Sequence, residues 1–234
     1  MPASPPVAAI GPLPASADEP RFPAVTPGFR IGLYGGSFNP AHEAHRQVSL
    51  LALRRLGLDQ VWWLASPGNP LKDNSALPSL RERLALAGAV SRHPALLPTG
   101  IEVRLGTRYT RDTVAALVRR YPQVRFVWVM GADNLAGFHR WQRWRDIAGL
   151  VPIAVVDRPG ATFPAMAARA AHALARWRIP ERDASTLADR RPPAWVFLHG
   201  LKSPLSSTLI RATTHPGPAP RAALHGKAPL TVEK

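Results

Sequence analysis

The chain has 234 residues, 46% of them hydrophobic, which suits one globular domain of ordinary size with tails. It contains no cysteine, so disulfides, thiolate metal sites and thiol nucleophiles are excluded. A formal charge of +15, from 30 Lys and Arg against 15 Asp and Glu, suits a polyanionic partner, although the arginines are spread along the whole chain rather than gathered in one block.

Proline is abundant, 26 residues in all, and crowds at both ends. Residues 1–28 and 212–234 show no helical or strand period and are expected to be a disordered Pro/Ala-rich extension and a flexible basic tail. Residues 29–211 are then the folded domain. No apolar run is long enough to span a bilayer, and the N-terminus lacks the charged and apolar regions of a secretory signal, so a cytoplasmic location is expected.

Within the domain, short apolar runs alternate with helical patterns. Residues 30–34 read as a strand and residues 42–56 as a helix with a stripe of Val48, Leu51, Ala52 and Leu56, stopped by Gly57. Residues 60–65 form the second strand. Ser79 and Glu82 have capping-box spacing and open a helix to about residue 92. A third strand is expected near residues 100–104, and a helix over residues 110–121. Residues 124–130 are a continuously apolar strand, as expected for one buried on both faces of a parallel sheet. Gly131 turns it into helical segments through Trp141 to Ile147. A strand over residues 150–156, a helix over about 164–176, a loop over 180–193 and a last strand over 195–199 follow, then a helix start at 206–211. The alternation predicts a doubly wound, Rossmann-like parallel α/β sheet in a single domain with flexible termini. With strand order 3-2-1-4-5, the ends of the first and fourth strands flank the switch point where such sheets bind ligands.

The turn after the first strand is Gly35-Gly36-Ser37-Phe38-Asn39-Pro40, followed by His42 and His45. Glycines admit a ligand close to the backbone, and a helix N-terminus favours phosphate. The two histidines share a helix face and can donate to phosphate oxygens; two ligands are too few for a metal, and none is expected. Neither a Gly-x-Gly-x-x-Gly fingerprint nor a P-loop is present.

The stretch resembles the Gly-x-Phe-Asp/Asn-Pro-x-His-x-Gly-His signature of the nucleotidyltransferase superfamily, with Ala44 standing where that signature carries glycine. Ser206-Ser207-Thr208-Leu209-Ile210-Arg211 is similar to its Ser-Ser-Thr-x-Ile-Arg segment. Further likenesses point to the nicotinate-nucleotide adenylyltransferase branch. They are Pro70-Leu71-Lys72, Tyr109-Thr110-Arg111-Asp112-Thr113, Gly131-Ala132-Asp133-Asn134-Leu135, Trp141 with Trp144, and Asp157-Arg158-Pro159-Gly160. The resemblance implies adenylyl transfer from ATP to nicotinate mononucleotide, with Mg²⁺ carried by the ATP. It implies catalytic roles for His42, His45, Lys72 and Arg211. ATP would be bound by Gly35, Gly36, Ser37, Phe38, Ser206, Ser207 and Thr208, and the acceptor by Tyr109, Thr110, Thr113, Asp133, Trp141 and Arg158. Trp141 could stack on a pyridine ring, whereas Trp62, Trp63, Trp128 and Trp195 read as core. The alternatives are a different phosphate acceptor (nicotinamide mononucleotide or pantetheine phosphate) and a non-catalytic nucleotide- or RNA-binding module. Nucleic-acid and membrane partners are not expected, and a homo-oligomer is left open.

Overall fold

In a computed structural model the chain is described for residues 22–68, 77–158 and 160–200. Among these, six parallel strands form one sheet in the order β3-β2-β1-β4-β5-β6. The strands are β1 (Arg30–Gly36), β2 (Gln60–Ala65), β3 (Leu96–Thr99), β4 (Arg125–Gly131), β5 (Ile153–Val156) and β6 (Trp195–Leu198). The chain winds from β1 outward to β3, then crosses back to place β4 on the other side of β1, so the switch point falls between β1 and β4.

Side-chain alternation along each strand feeds two cores. Ile31 and Leu33 of β1, Trp62 and Leu64 of β2, and Phe126, Trp128 and Met130 of β4 face one side. Tyr34, Val61, Trp63, Ala65, Val127 and Val129 face the other. This is the period of two expected of a pleated strand, with both faces apolar because both are covered. The second face is covered by α1 (Glu43–Arg55), α2 (Leu80–Ser91) and a 3₁₀ segment (Glu181–Asp189) that buries Ala184, Leu187 and Ala188. The first face is covered by α3 (Ile101–Leu105), α4 (Thr110–Arg120), α5 (Ala132–Gly137), α6 (Trp144–Leu150), α7 (Thr162–Met166) and α8 (Arg169–Ala173). Trp62, Trp63, Trp128 and Trp195 are all buried, as their sequence setting implies. Among the described residues no helix is long and apolar enough to cross a membrane.

Several expected elements are corrected. The third strand is Leu96–Thr99, and the residues expected to be that strand form α3 instead. Pro98 sits inside β3, which is tolerated because β3 is an edge strand paired only with β2. Gly106, at φ +62, closes α3 and returns its N–H to the carbonyls of Glu102 and Val103. The strand expected over residues 150–156 is shorter, since α6 runs to Leu150. The helix expected over residues 164–176 is broken into α7, α8 and a 3₁₀ turn (Ala175–Trp177). The segment expected to run helically from Gly131 to Ile147 is α5, a 3₁₀ turn (Phe138–Arg140) and α6. The loop over residues 180–193 contains the 3₁₀ segment just described.

Two packing features set up the site. A Cβ built on Gly35 would lie 2.6 Å from Cη2 of Trp128, so the glycine there makes room for an indole. On the α3–α4 side, the buried Glu102 carboxylate accepts from the hydroxyl of Thr113 (3.0 Å), which also bonds that of Thr107 (2.8 Å). This network ties α3 to the first turn of α4. Burial raises the pKa of Glu102 from 4.5 to about 7, with the Thr113 bond opposing the shift.

Gly35→Ala should lower stability by about 1–3 kcal/mol through overpacking against Trp128, read as a lower urea midpoint. The folded state holds the Glu102 proton more tightly than the unfolded state, so this carboxyl favours folding below its unfolded pKa and that preference is lost as pH rises through about 7. Glu102→Gln should therefore gain on the parent chain as pH rises from 5 to 8, by at most on the order of 3 kcal/mol. Parallel melting curves across that range check it; a constant difference would refute it.

Candidate active site

The turn after β1 is built by packing from beneath. Phe38 adopts φ +46, a left-handed conformation that a bulky residue holds only when its surroundings require it. Its ring is buried and stacks flat on Trp63, with centroids 5.1 Å apart, and it meets the rings of Tyr34 and His45. The ring of Phe38, a residue expected at the ATP site, packs in the wall beside His45.

His42 is the N-cap residue of α1, with extended backbone, and His45 lies in the first turn. Their ring centroids are 3.9 Å apart. The Nδ1 of His45 accepts from the backbone N–H of His42 (3.2 Å). A neutral imidazole with Nδ1 accepting carries its proton on Nε2, so His45 has a donor left over. Both rings are neutral near pH 7. Burial, then the charge of Arg158, takes His42 down to about 4. Burial, then His42 and Arg158, takes His45 to about 2.

Arg158 follows β5, in a turn held by Asp157, whose Oδ1 accepts from Thr162 Oγ1 (2.7 Å) and from the Arg158 N–H (2.9 Å). The Arg158 guanidinium pairs with Asp133 Oδ2 at 3.4 Å, and Asp133 stands in the first turn of α5, directly after β4. The ends of β1, β4 and β5 thus converge on His42, His45, Asp133 and Arg158. Six buried side-chain polar atoms among the described residues have no partner, and three of them are Nδ1 and Nε2 of His42 and Nη2 of Arg158. Buried polar atoms are ordinarily satisfied; Arg158 Nη2 and whichever His42 nitrogen carries the proton are donors, so their meeting beside a helix N-terminus marks a place for an anion. Burial raises Tyr34, beneath the same turn, to about 12, so it stays a neutral phenol.

The remaining predicted residues divide. Gly35 and Gly36 end β1, and Ser37 is half-buried in the turn. Ser66 donates its N–H to the Gly36 carbonyl (3.0 Å), lacing the ends of β1 and β2 together. Tyr109 is the exposed N-cap residue of α4, with Thr110 half-buried beside it. Thr113 is fully buried and its hydroxyl is engaged by Glu102, Thr107 and the Tyr109 carbonyl (3.3 Å), so it supports the α4 terminus rather than facing a ligand. Trp141 is half-buried, edge-on to Trp128 (6.1 Å) and Phe138 (5.3 Å). Trp128 therefore lies between the glycine turn and Trp141. Lys72, Ser206, Ser207, Thr208 and Arg211 lie outside the described residues. Sequence reasoning did not mark Glu102. Its signal is a lone acid among apolar neighbours in Gly-Ile-Glu-Val, which also suits an exposed position.

No group of three or more His, Asp or Glu able to hold a metal occurs among the described residues.

The cytidylyltransferase-like family pattern matches residues 33–213. A protein of Bradyrhizobium sp. (strain ORS 278), named "Probable nicotinate-nucleotide adenylyltransferase", is 62% identical over 182 residues, covering 78% of this chain and 95% of that protein. A protein of the same name from Brucella suis biovar 1 (strain 1330) is 54% identical over 181 residues, covering 77% and 93%. The solved Plasmodium falciparum nicotinic acid mononucleotide adenylyltransferase complexed with NaAD aligns with a TM-score of 0.58 at 15% identity, over 78% of this chain and 82% of that one, a likeness of fold. The chain belongs to the cytidylyltransferase-like family and, within it, to the nicotinate-nucleotide adenylyltransferases.

Proposed function

We propose that this chain transfers the adenylyl group of ATP to the phosphate of nicotinate mononucleotide, forming deamido-NAD and releasing pyrophosphate. The observation that carries the reading is the set of unpartnered donors on His42 and Arg158 at the N-terminus of α1, at the β1/β4 switch point. The identity of 62% with a named relative supports the choice of acceptor.

In this reading the acceptor phosphate oxygen attacks the α-phosphorus of ATP in line, and pyrophosphate leaves. A phosphate monoester is already ionised near neutral pH, so no side chain has to remove a proton. The protein positions the two substrates and neutralises charge. The neutral rings of His42 and His45 donate hydrogen bonds to the reacting phosphates. An entering polyanion favours their protonated forms, so binding draws protons into the site. Arg158 supplies permanent charge from the β5 side, while Asp133 orients that guanidinium and accepts from ribose hydroxyls. Tyr109 and Thr110, at the N-terminus of α4, receive the nicotinate carboxylate, and Trp141 offers a ring face to the pyridine. Lys72, Arg211 and the hydroxyls of Ser206, Ser207 and Thr208 complete the proposal around the β- and γ-phosphates.

Mg²⁺ fits as a companion of ATP rather than as a resident ion. The unpartnered atoms beside the site are ring nitrogens and a guanidinium nitrogen, partners for phosphate oxygens, and the nearby Asp133 carboxylate is already paired with Arg158. The ion would be held by phosphate oxygens and water, where it lowers the charge of the leaving pyrophosphate.

With MgATP, the chain should release pyrophosphate faster with nicotinate mononucleotide than with nicotinamide mononucleotide or pantetheine phosphate. A preference for either of the latter would move the assignment to another acceptor. His45→Ala should cut kcat by about 10²–10³-fold while the melting curve stays cooperative. Loss of activity in proportion to loss of folded protein would remove His45 from the reaction.

A further inference from the structure

Arg83 lies in the first turn of α2, yet it is 1% exposed and ranks among the largest fully buried side chains. Its Nε donates to the carbonyl of Pro78 (3.0 Å), and its Nη1 donates to the carbonyls of Ser37 (2.7 Å) and Ser66 (2.8 Å). All three acceptors are main-chain. Among the described residues no carboxylate pairs with it. A buried cation is ordinarily held by an opposite charge, because leaving water is costly. Desolvation lowers its pKa.

The three carbonyls say what the charge secures. Ser37 is in the turn after β1, Ser66 follows β2, and Pro78 precedes α2. A trans peptide places the next N–H opposite its carbonyl. Holding the Ser37 carbonyl on Arg83 therefore directs the Phe38 N–H away from α2. This is the peptide at which the chain takes its left-handed step, Phe38 at φ +46, on its way to His42. The same nitrogen of Arg83 grips the Ser66 carbonyl, and Ser66 returns its own N–H to Gly36. The glycine turn is thus fastened from one side by Arg83 and along its edge by β2. The fastening group also carries a positive charge that no carboxylate among the described residues cancels, a favourable background for a polyanion at the turn.

We propose that Arg83 is the positioning residue of the ATP subsite: it fixes the Ser37–Phe38 peptide and the exit of β2 in the one geometry that receives the triphosphate. The proposal rests on the ATP-dependent reading above. It separates Arg83 from the residues that touch substrate, since its three hydrogen bonds among the described residues all go to the protein's own backbone.

The test uses the full chain and two variants, Arg83→Lys and Arg83→Met. Each is measured by thermal unfolding, by calorimetric binding of MgATP, and by turnover of MgATP with nicotinate mononucleotide. An ammonium keeps the charge but lacks the fork that serves several carbonyls. MgATP affinity should fall about tenfold in Arg83→Lys and about 100-fold in Arg83→Met, the scale of lost hydrogen bonds from a charged group. The KM for the mononucleotide should stay within about threefold of the parent in both. Parental MgATP affinity in either folded variant overturns the proposal, and so does an equal rise in the KM of both substrates. If Arg83→Met does not fold, Arg83→Lys decides by the same two readouts. A parent chain that binds MgATP but turns over no nicotinate mononucleotide overturns the acceptor assignment alone, and the binding comparison still decides the role of Arg83. A parent chain that does not bind MgATP overturns both.

Discussion

The indole of Trp128 fills the space that a side chain on Gly35 would need, and much of the site depends on that one packing choice. It lets β1 and β4 lie side by side at their carboxyl ends with a large ring between the glycine turn and α5. The same ring supports Trp141 edge-on. The donor and acceptor halves of the proposed reaction are therefore braced by a single core residue. A glycine in such a turn is easily read as clearance for a ligand. At Gly35 the clearance is claimed from inside the protein, and at Gly36 an added Cβ would make only ordinary contact with the Phe38 ring (3.4 Å).

Charge is arranged on the same logic. The site collects donors and, among the described residues, gives them few acceptors. Among the described residues Arg158 pairs with one carboxylate, that of exposed Asp133, and solvent weakens that pair. Both histidines are held neutral by burial and by Arg158, so three cations are not stacked together. A phosphate reverses each of these costs at once by accepting from the orphaned nitrogens and favouring the protonated rings. Binding energy is thus concentrated where charge is to be moved, which suits a transfer that needs alignment and neutralisation more than acid–base chemistry.

What was legible in the sequence follows from how local each cause is. β2 occupies the expected residues 60–65 because an apolar run between turn residues needs no tertiary information. The Ser79–Glu82 capping box forms because its partners are three residues apart. The parallel sheet was legible because strand–helix alternation demands crossover connections, and the supposed order 3-2-1-4-5 agrees with the sheet, which adds β6 at the edge. Where a residue's role is set by distant atoms, the sequence was silent or misleading. Pro98 looks like a breaker until β3 is known to be an edge. Thr113 has the hydroxyl of a ligand contact, but buried Glu102 engages it. Phe38 belongs to the signature that marks the site, while its ring belongs to the core. Arg81 and Arg83 read alike in Leu-Arg-Glu-Arg-Leu, and only the fold buries Arg83 against three carbonyls.

The departure at Ala44 can be weighed in the same terms. In the first turn of α1, between the two histidines, it is 2% exposed. Its methyl group is covered by protein atoms, so it takes no open space from a ligand beside His42 and His45. Within a helix, alanine is favoured over glycine by up to about 1 kcal/mol, because glycine loses more backbone freedom on folding. The turn that must hold two imidazoles 3.9 Å apart therefore gains rigidity where the signature would have placed its most flexible residue. The methyl is accommodated on the side of α1 that packs, and the side that presents the donors is left as the signature has it.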